Sequence, residues 1–216
     1  MDGTGKLFKP LIELLPKSLS TQVICLNSLH SEEPKEQAAE IASLIGKEKI
    51  VILAESYSGS IAYHLSLISD LNIKHIIFAA SFLEPPSKLA KLSGCLPINF
   101  IRRGFIPSFV LSRLFFAQRN NKKLVSLFLS ALKLVDNSTL KQRLKTISNL
   151  ASPTYEVDVP CTYVTAKSDY LVSKKSVHIF SKLCVNINVL NAKGGHFIVQ
   201  SNPLYFSKLV QSVIAI

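Results

Sequence analysis

Charge, methionine and cysteine are all scarce in this chain. Of its 216 residues one is methionine, at position 1, and only 18% are charged, against 48% apolar. That balance excludes a disordered charged tail and a collagen-like repeat, and it supplies enough apolar surface for a real core. The length suits one domain, or one domain with an insertion. Long uncharged apolar runs are missing too. The best candidates, Ser56–Ser69 and Gly194–Ser207, are broken by Ser, Tyr, His, Asn and Gln, which argues against a transmembrane helix. Met1–Gly5 has no basic patch followed by an apolar run, so no signal peptide is written there. Cys25, Cys95, Cys161 and Cys184 are scattered, with no Cys-x-x-Cys pair and no histidine at metal spacing. Reduced, mostly buried thiols in a cytoplasmic protein are expected, with neither a metal nor a cofactor.

Acidic residues are nearly absent from one place. Residues 85–155 hold twelve Lys and Arg against a single acid, Asp136, a net charge of +11 that equals the charge of the whole chain. The remainder is therefore neutral.

Outside that segment short apolar runs alternate with helical patterns. Gln22–Asn27, Lys49–Ala54, Lys74–Ala80, Cys161–Ala166 and Val185–Leu190 read as strands. Pro34–Lys47, Ser60–Leu71, Lys174–Leu183 and Pro203–Ile214 read as helices. Lys49–Ala54 is apolar throughout, the pattern of a strand buried on both faces of a parallel sheet. Strand and helix in strict turn predict an α/β fold, a mostly parallel sheet with helices on both faces. The basic segment is entered at Pro85-Pro86 and left near Pro153. Three amphipathic helices are predicted inside it, at about Ile106–Gln118, Lys122–Leu134 and Ser138–Leu150, with Phe100, Phe105, Phe109, Phe115, Phe116 and Phe128 among them. The predicted organisation is a core at 1–84, a helical cap insertion at 85–155 over the carboxyl edge of the sheet, and the rest of the core at 156–216. Aromatic residues at helical spacing serve first as the cap's own core.

Strand Lys49–Ala54 runs into Glu55-Ser56-Tyr57-Ser58-Gly59 and then a helix. So tight a strand–turn–helix needs small residues two before and two after its apex, and here they are Ala54 and Ser58. This is a relaxed form of the Gly-x-Ser-x-Gly elbow, and alone it is a weak signal. Asp169 follows strand Cys161–Ala166, and His196 follows strand Val185–Leu190 behind Gly194-Gly195. Ser56, Asp169 and His196 thus fall at the carboxyl ends of three parallel strands. A serine hydroxyl becomes nucleophilic when an imidazole takes its proton, and a carboxylate holds that imidazole's tautomer. The glycines give the histidine loop freedom to fold back over the sheet edge.

With these residues in hand, the chain resembles the α/β-hydrolases. Asp2-Gly3-Thr4-Gly5 with Leu53-Ala54-Glu55-Ser56-Tyr57-Ser58-Gly59 is similar to a branch carrying LPG-x-DGTG and LAES-[FY]-SG motifs, and the likeness spans nearly the whole chain. The resemblance implies Ser56 as nucleophile, His196 as general base and then acid, Asp169 as orienting carboxylate, and a Tyr57 backbone N–H toward the oxyanion. Glu84 is the competing acid, because some members place it after the strand matching Lys74–Ala80; Asp169 is preferred because its loop follows the commoner pattern. His30, His64, His75 and His178 lack a glycine-flanked strand end.

In relatives a strand ending in Leu-Pro-Gly precedes the Asp-Gly-Thr-Gly turn and lies mid-sheet, between the strands matching Gln22–Asn27 and Lys49–Ala54. The residue after that Pro-Gly, which gives the second oxyanion N–H, is Met1 here. The resemblance therefore implies absent N-terminal strands, with Met1 internal to a longer protein or the chain a truncated relative. An unpaired strand edge costs about 1–3 kcal/mol per buried polar group, and one lost oxyanion donor about 10²–10³ in rate.

The implied activity is hydrolysis of a small-molecule carboxylic ester or thioester with an apolar acyl group. The alternatives are acyl transfer on the same triad, or a degenerate fold that binds lipid or a partner. Through the basic cap an acyl carrier protein or an anionic membrane surface becomes a partner class. No nucleic-acid-binding motif interrupts the aliphatic helix faces, so no nucleic acid is expected.

Overall fold

The computed structural model describes residues 2–86, 101 and 105–215. Met1, Cys95 and Phe100, named above, lie outside that set, as do Lys88, Lys91, Arg102 and Arg103 of the basic segment.

Among the described residues four strands form one fully parallel sheet in sequential order: β1 Ile50–Glu55, β2 Ile73–Ala79, β3 Cys161–Ala166 and β4 Ile187–Ala192. Registers align Glu55 with Ala79, Ala79 with Val164, and Ala166 with Ala192, so all four carboxyl ends reach the same edge. Period-two alternation then sorts the side chains. Ile76, Phe78 and Tyr163 face one layer, where they pack with Tyr63 of α3 (Ser58–Ser66) and Phe180. Ile77, Ala79 and Val164 face the other, against Leu11, Ile198, Phe206 and Val210. Helices α1 (Lys9–Ile12) and α2 (Pro34–Ile45) precede β1. Helices α4 (Ser108–Phe116), α5 (Lys122–Lys133) and α6 (Asn137–Ser148) stand between β2 and β3. The chain continues with α7 (Lys175–Leu183), α8 (Ile198–Ser201) and α9 (Pro203–Ile214).

The inserted helices have their own core. Phe115, Phe116, Phe128, Leu132 and Leu140 are buried together, and Leu7 and Phe197 join them from the main body. A polar tie runs alongside. The fully buried Arg143 of α6 donates from Nε and Nη2 to the Glu32 carboxylate at 2.8 and 2.9 Å, and from Nη1 to Asn27 Oδ1 at 3.2 Å. A two-pronged guanidinium–carboxylate pair fixes orientation as well as distance. One of the twelve basic residues of the segment is therefore a structural cation inside the molecule.

Two sequence expectations are corrected. Gln22–Asn27 is not a strand: Gln22–Cys25 joins no sheet, and Leu26–Ser28 is a 3₁₀ turn tied by Leu26 N–H to the Gly3 carbonyl at 2.7 Å. Nor is β1 buried on both sides; among the described residues it is an edge strand, and Ile50–Leu53 are only half-buried. Both corrections share a cause. The apolar run Gln22–Asn27 can become a strand only beside another strand, and along the outer side of β1 lies a cavity of about 830 Å³ instead. That cavity runs from Ser56 and Phe197 to Lys49 and Lys74, and Ile24, Leu11, Ile61 and Val210 are among its walls.

Candidate active site

Ser56 follows β1 directly and has a left-handed backbone, φ 60°. A non-glycine residue held there signals a constrained turn. The constraint is visible around it. Ser58 Oγ accepts the Glu55 N–H at 2.9 Å and donates to the Glu55 carbonyl at 2.8 Å, closing the turn with a side chain. Ser56 N–H reaches the Ala79 carbonyl at 2.9 Å, anchoring the apex to β2. At Gly59 an added Cβ would lie 2.4 Å from Ser81 Cβ, so α3 can pass the end of β2 this closely only with glycine there.

The histidine loop after β4 is equally crowded. Gly194 has φ 146°, and a Cβ on Gly195 would sit 2.6 Å from the Phe115 carbonyl oxygen. One glycine supplies the backbone shape, and the other supplies the close approach to the end of α4. Phe197 N–H then bonds that same carbonyl at 3.0 Å, and the Phe197 ring packs 5.4–5.6 Å from the rings of Phe115, Phe116 and Phe128. The aromatic core of the inserted helices thereby grips the residue next to His196.

This brings Ser56, His196 and Asp169 into hydrogen-bonded succession. Ser56 Oγ lies 2.8 Å from His196 Nε2, and His196 Nδ1 lies 2.9 Å from Asp169 Oδ2. Both His196 and Asp169 are buried side chains. Burial by itself would raise the Asp169 carboxyl. The hydrogen bond and charge of His196, with the Val172 and Leu171 N–H groups at 3.0 and 2.8 Å, outweigh burial and hold it below its ordinary value.

Beneath the serine sits an acid whose environment the sequence did not announce. Glu55 is buried; its Oε1 accepts the Val199 N–H at 2.9 Å and its Oε2 accepts from Gln200 Nε2 at 2.8 Å. It thus joins the serine turn to α8, the helix that follows the histidine. Burial pushes the Glu55 carboxyl up to about 7, against the pull of those two donors and of His196. Gln200 Oε1 is the buried side-chain oxygen left without a partner among the described residues. An acid closing an otherwise apolar strand is a signal for a buried carboxyl, but not for its partner.

The other expected residues fall elsewhere. Glu84 accepts from Ser152 Oγ and Lys175 Nζ, both at 2.7 Å, and those bonds hold its carboxyl below its ordinary value; His196 Nδ1 is occupied by Asp169. Tyr57 opens α3, and its hydroxyl donates toward the Glu32 carbonyl at 2.8 Å. Met1 lies outside the described residues. His30 meets Glu40, and His75 meets Thr162.

No protein-family model matches the chain, and no curated protein does. Solved structures do. A thermophilic esterase from Thermogutta terrifontis aligns over 98% of this chain and 85% of its own, with TM-score 0.72 and 14% identity. A hydrolase from Oleispira antarctica covers 98% and 88%, with TM-score 0.73 and 12% identity. An esterase from Exiguobacterium antarcticum covers 98% and 88%, with TM-score 0.71 and 13% identity. The fold is that of the α/β-hydrolases. In that fold the sheet edge bearing Ser56, Asp169 and His196 is the carboxyl edge, where open α/β sheets bind ligands.

Proposed function

We propose that the chain is a serine hydrolase acting on carboxylic esters or thioesters of an apolar acyl group. The observation that carries this reading is the continuous hydrogen-bonded path from Ser56 Oγ through His196 to Asp169. In the first half-reaction Ser56 Oγ attacks the acyl carbon while its proton passes to His196 Nε2. The imidazolium then returns that proton to the departing alcohol or thiol, leaving an acyl ester on Ser56. In the second, water attacks that ester with His196 taking and returning a proton, and the carboxylic acid leaves. Asp169 keeps Nδ1 protonated and offsets the imidazolium charge. The Tyr57 backbone N–H, at the start of α3, serves the oxyanion, where a preorganised donor acts most strongly.

The acyl preference is supported by the Phe- and Leu-rich inserted helices, whose aromatic core meets Phe197 beside His196. Esterase and hydrolase neighbours on the same fold agree with the reaction class. Exposed Arg119, Lys122 and Lys123 on the inserted helices supply attraction for a phosphate-bearing or carrier-bound acyl donor.

The test is turnover of p-nitrophenyl esters with acyl chains of two to twelve carbons. The native chain is expected to turn over, with kcat/KM rising with chain length, and Ser56→Ala to fall to background. Equal rates in the two proteins would remove Ser56 from the chemistry. A preference for acetyl would remove the apolar acyl preference alone.

A further inference from the structure

Helix α4 is apolar on both of its sides, and among the described residues only one side is covered. Leu111, Ser112, Phe115 and Phe116 point into the core of the inserted helices. At 100° per residue Phe109, Arg113, Val110 and Leu114 form the opposite stripe, about 140° wide. Phe109 is 57% exposed, and Phe105, four residues earlier and before the helix starts, is 65% exposed. Val110 and Leu114 are exposed as well. A helix apolar all round belongs in an apolar environment on both sides. Two exposed Phe beside Val and Leu form a patch that marks an interaction site rather than the usual scatter of single apolar residues.

Charge identifies the environment. Arg113 lies within the stripe, Arg119 follows between α4 and α5, and Lys122 and Lys123 open α5, all exposed. The exposed acid among the described residues of the insertion is Asp136, at the far end of α5. Large apolar side chains rimmed by cations suit a surface that offers hydrocarbon under an anionic skin. No helix among the described residues is long and apolar enough to cross a membrane, so the contact lies in the interface plane.

We propose that the exposed face of α4, with Phe105 before it and the Arg113–Lys123 cations around it, docks on an anionic lipid bilayer. Phe105, Phe109 and Leu114 enter the acyl boundary, and the arginines and lysines meet the lipid phosphates. The buried side of α4 holds Phe197 beside His196, so docking sets the candidate site next to the bilayer. The docking itself does not rest on the hydrolase reading.

The chain has no tryptophan, so Phe109→Trp gives a single reporter. Val185→Trp, at an exposed position near the amino-terminal end of the strands, is its control. Each protein is mixed with phosphatidylcholine vesicles with and without 30 mol% phosphatidylglycerol. A blue shift is expected for the Phe109→Trp protein with the anionic vesicles, about tenfold tighter apparent binding than to neutral ones, and weaker binding at 0.5 M salt. The Val185→Trp emission should stay unmoved. Adding Phe105→Ser and Leu114→Ser should abolish the shift, and adding Ser56→Ala should leave it intact, which keeps docking separate from catalysis. Three results overturn the proposal: no shift with anionic vesicles, an equal shift in the control, or vesicle-free dimerisation that the two serine substitutions abolish. Saturable binding of an acidic acyl carrier protein without vesicle binding would assign the patch to that partner instead.

Discussion

Glu55 and Asp169 are both buried carboxyls near the same histidine, yet their environments push them in opposite directions. Asp169 gathers an imidazole and two N–H donors, enough to overcome burial, whereas burial dominates at Glu55. The consequences for stability have opposite signs. Between the ordinary value of 4.5 and about 7, the folded chain retains a Glu55 proton that the unfolded chain has released. Stability therefore falls as pH rises through that window, by roughly 3 kcal/mol from this group. The stability from Asp169 is present above its unfolded pKa and is lost as pH falls through its folded value. Glu55→Gln should remove the Glu55 contribution and keep the fold, because a turned Gln200 amide can then accept from the new side chain with its unpartnered Oε1. Urea midpoints at pH 5 and pH 7.5 check this, and an undiminished fall between them in the variant would be the wrong result. Asp169→Asn is expected to lower ester turnover by on the order of 10⁴-fold while leaving KM nearly unchanged, since it disturbs the tautomer of His196 and not the cavity. Steady-state kinetics separates the two constants.

Among the elements, α6 and the loop before α2 depend on one ion pair. Arg143 is wholly buried, whereas Glu32 is partly exposed. Removing the carboxylate leaves the buried guanidinium charge without compensation, so Glu32→Leu should cost about 3–5 kcal/mol in chemical denaturation. Adding Arg143→Met should recover much of that loss, and failure to recover would assign the effect to packing. Strand β1 offers a second expectation. Ile50 and Ser56 direct their N–H groups to carbonyls on the β2 side, so Val51 and Leu53, of opposite parity, direct theirs into the cavity. Their amides should exchange with deuterium well before those of Ile52 and Ala54 in the same strand.

Strand and helix types were legible wherever a segment carries its own period. Cys161–Ala166 and Pro203–Ile214 match their sequence expectations residue for residue, because alternation and the Pro203 helix start are local signals. Gln22–Asn27 was not legible, since becoming a strand depends on a neighbour rather than on the segment itself. That Ser56, Asp169 and His196 share one sheet edge was legible from strand ends and glycines. The Glu55–Gln200 and Arg143–Glu32 contacts were not, because they join residues 145 and 111 positions apart with no shared pattern.

At the scale of the whole molecule, charge and chemistry are divided. The excess charge lies in one inserted segment, and the three hydrogen-bonded residues lie on the neutral sheet beneath it. Attraction of an anionic substrate should then be set by the insertion and screened by salt. Turnover of an anionic ester is expected to fall steeply between 0.05 and about 0.5 M salt, while that of a neutral ester stays level. Parallel profiles for the two esters would contradict this.

The most direct test of the central claim is covalent. Incubation with a fluorophosphonate, followed by proteolysis and mass spectrometry, should place one adduct on Ser56, with His196→Ala slowing its formation and Ser56→Ala abolishing it. An adduct on another serine, or equal labelling of all three proteins, would contradict the account.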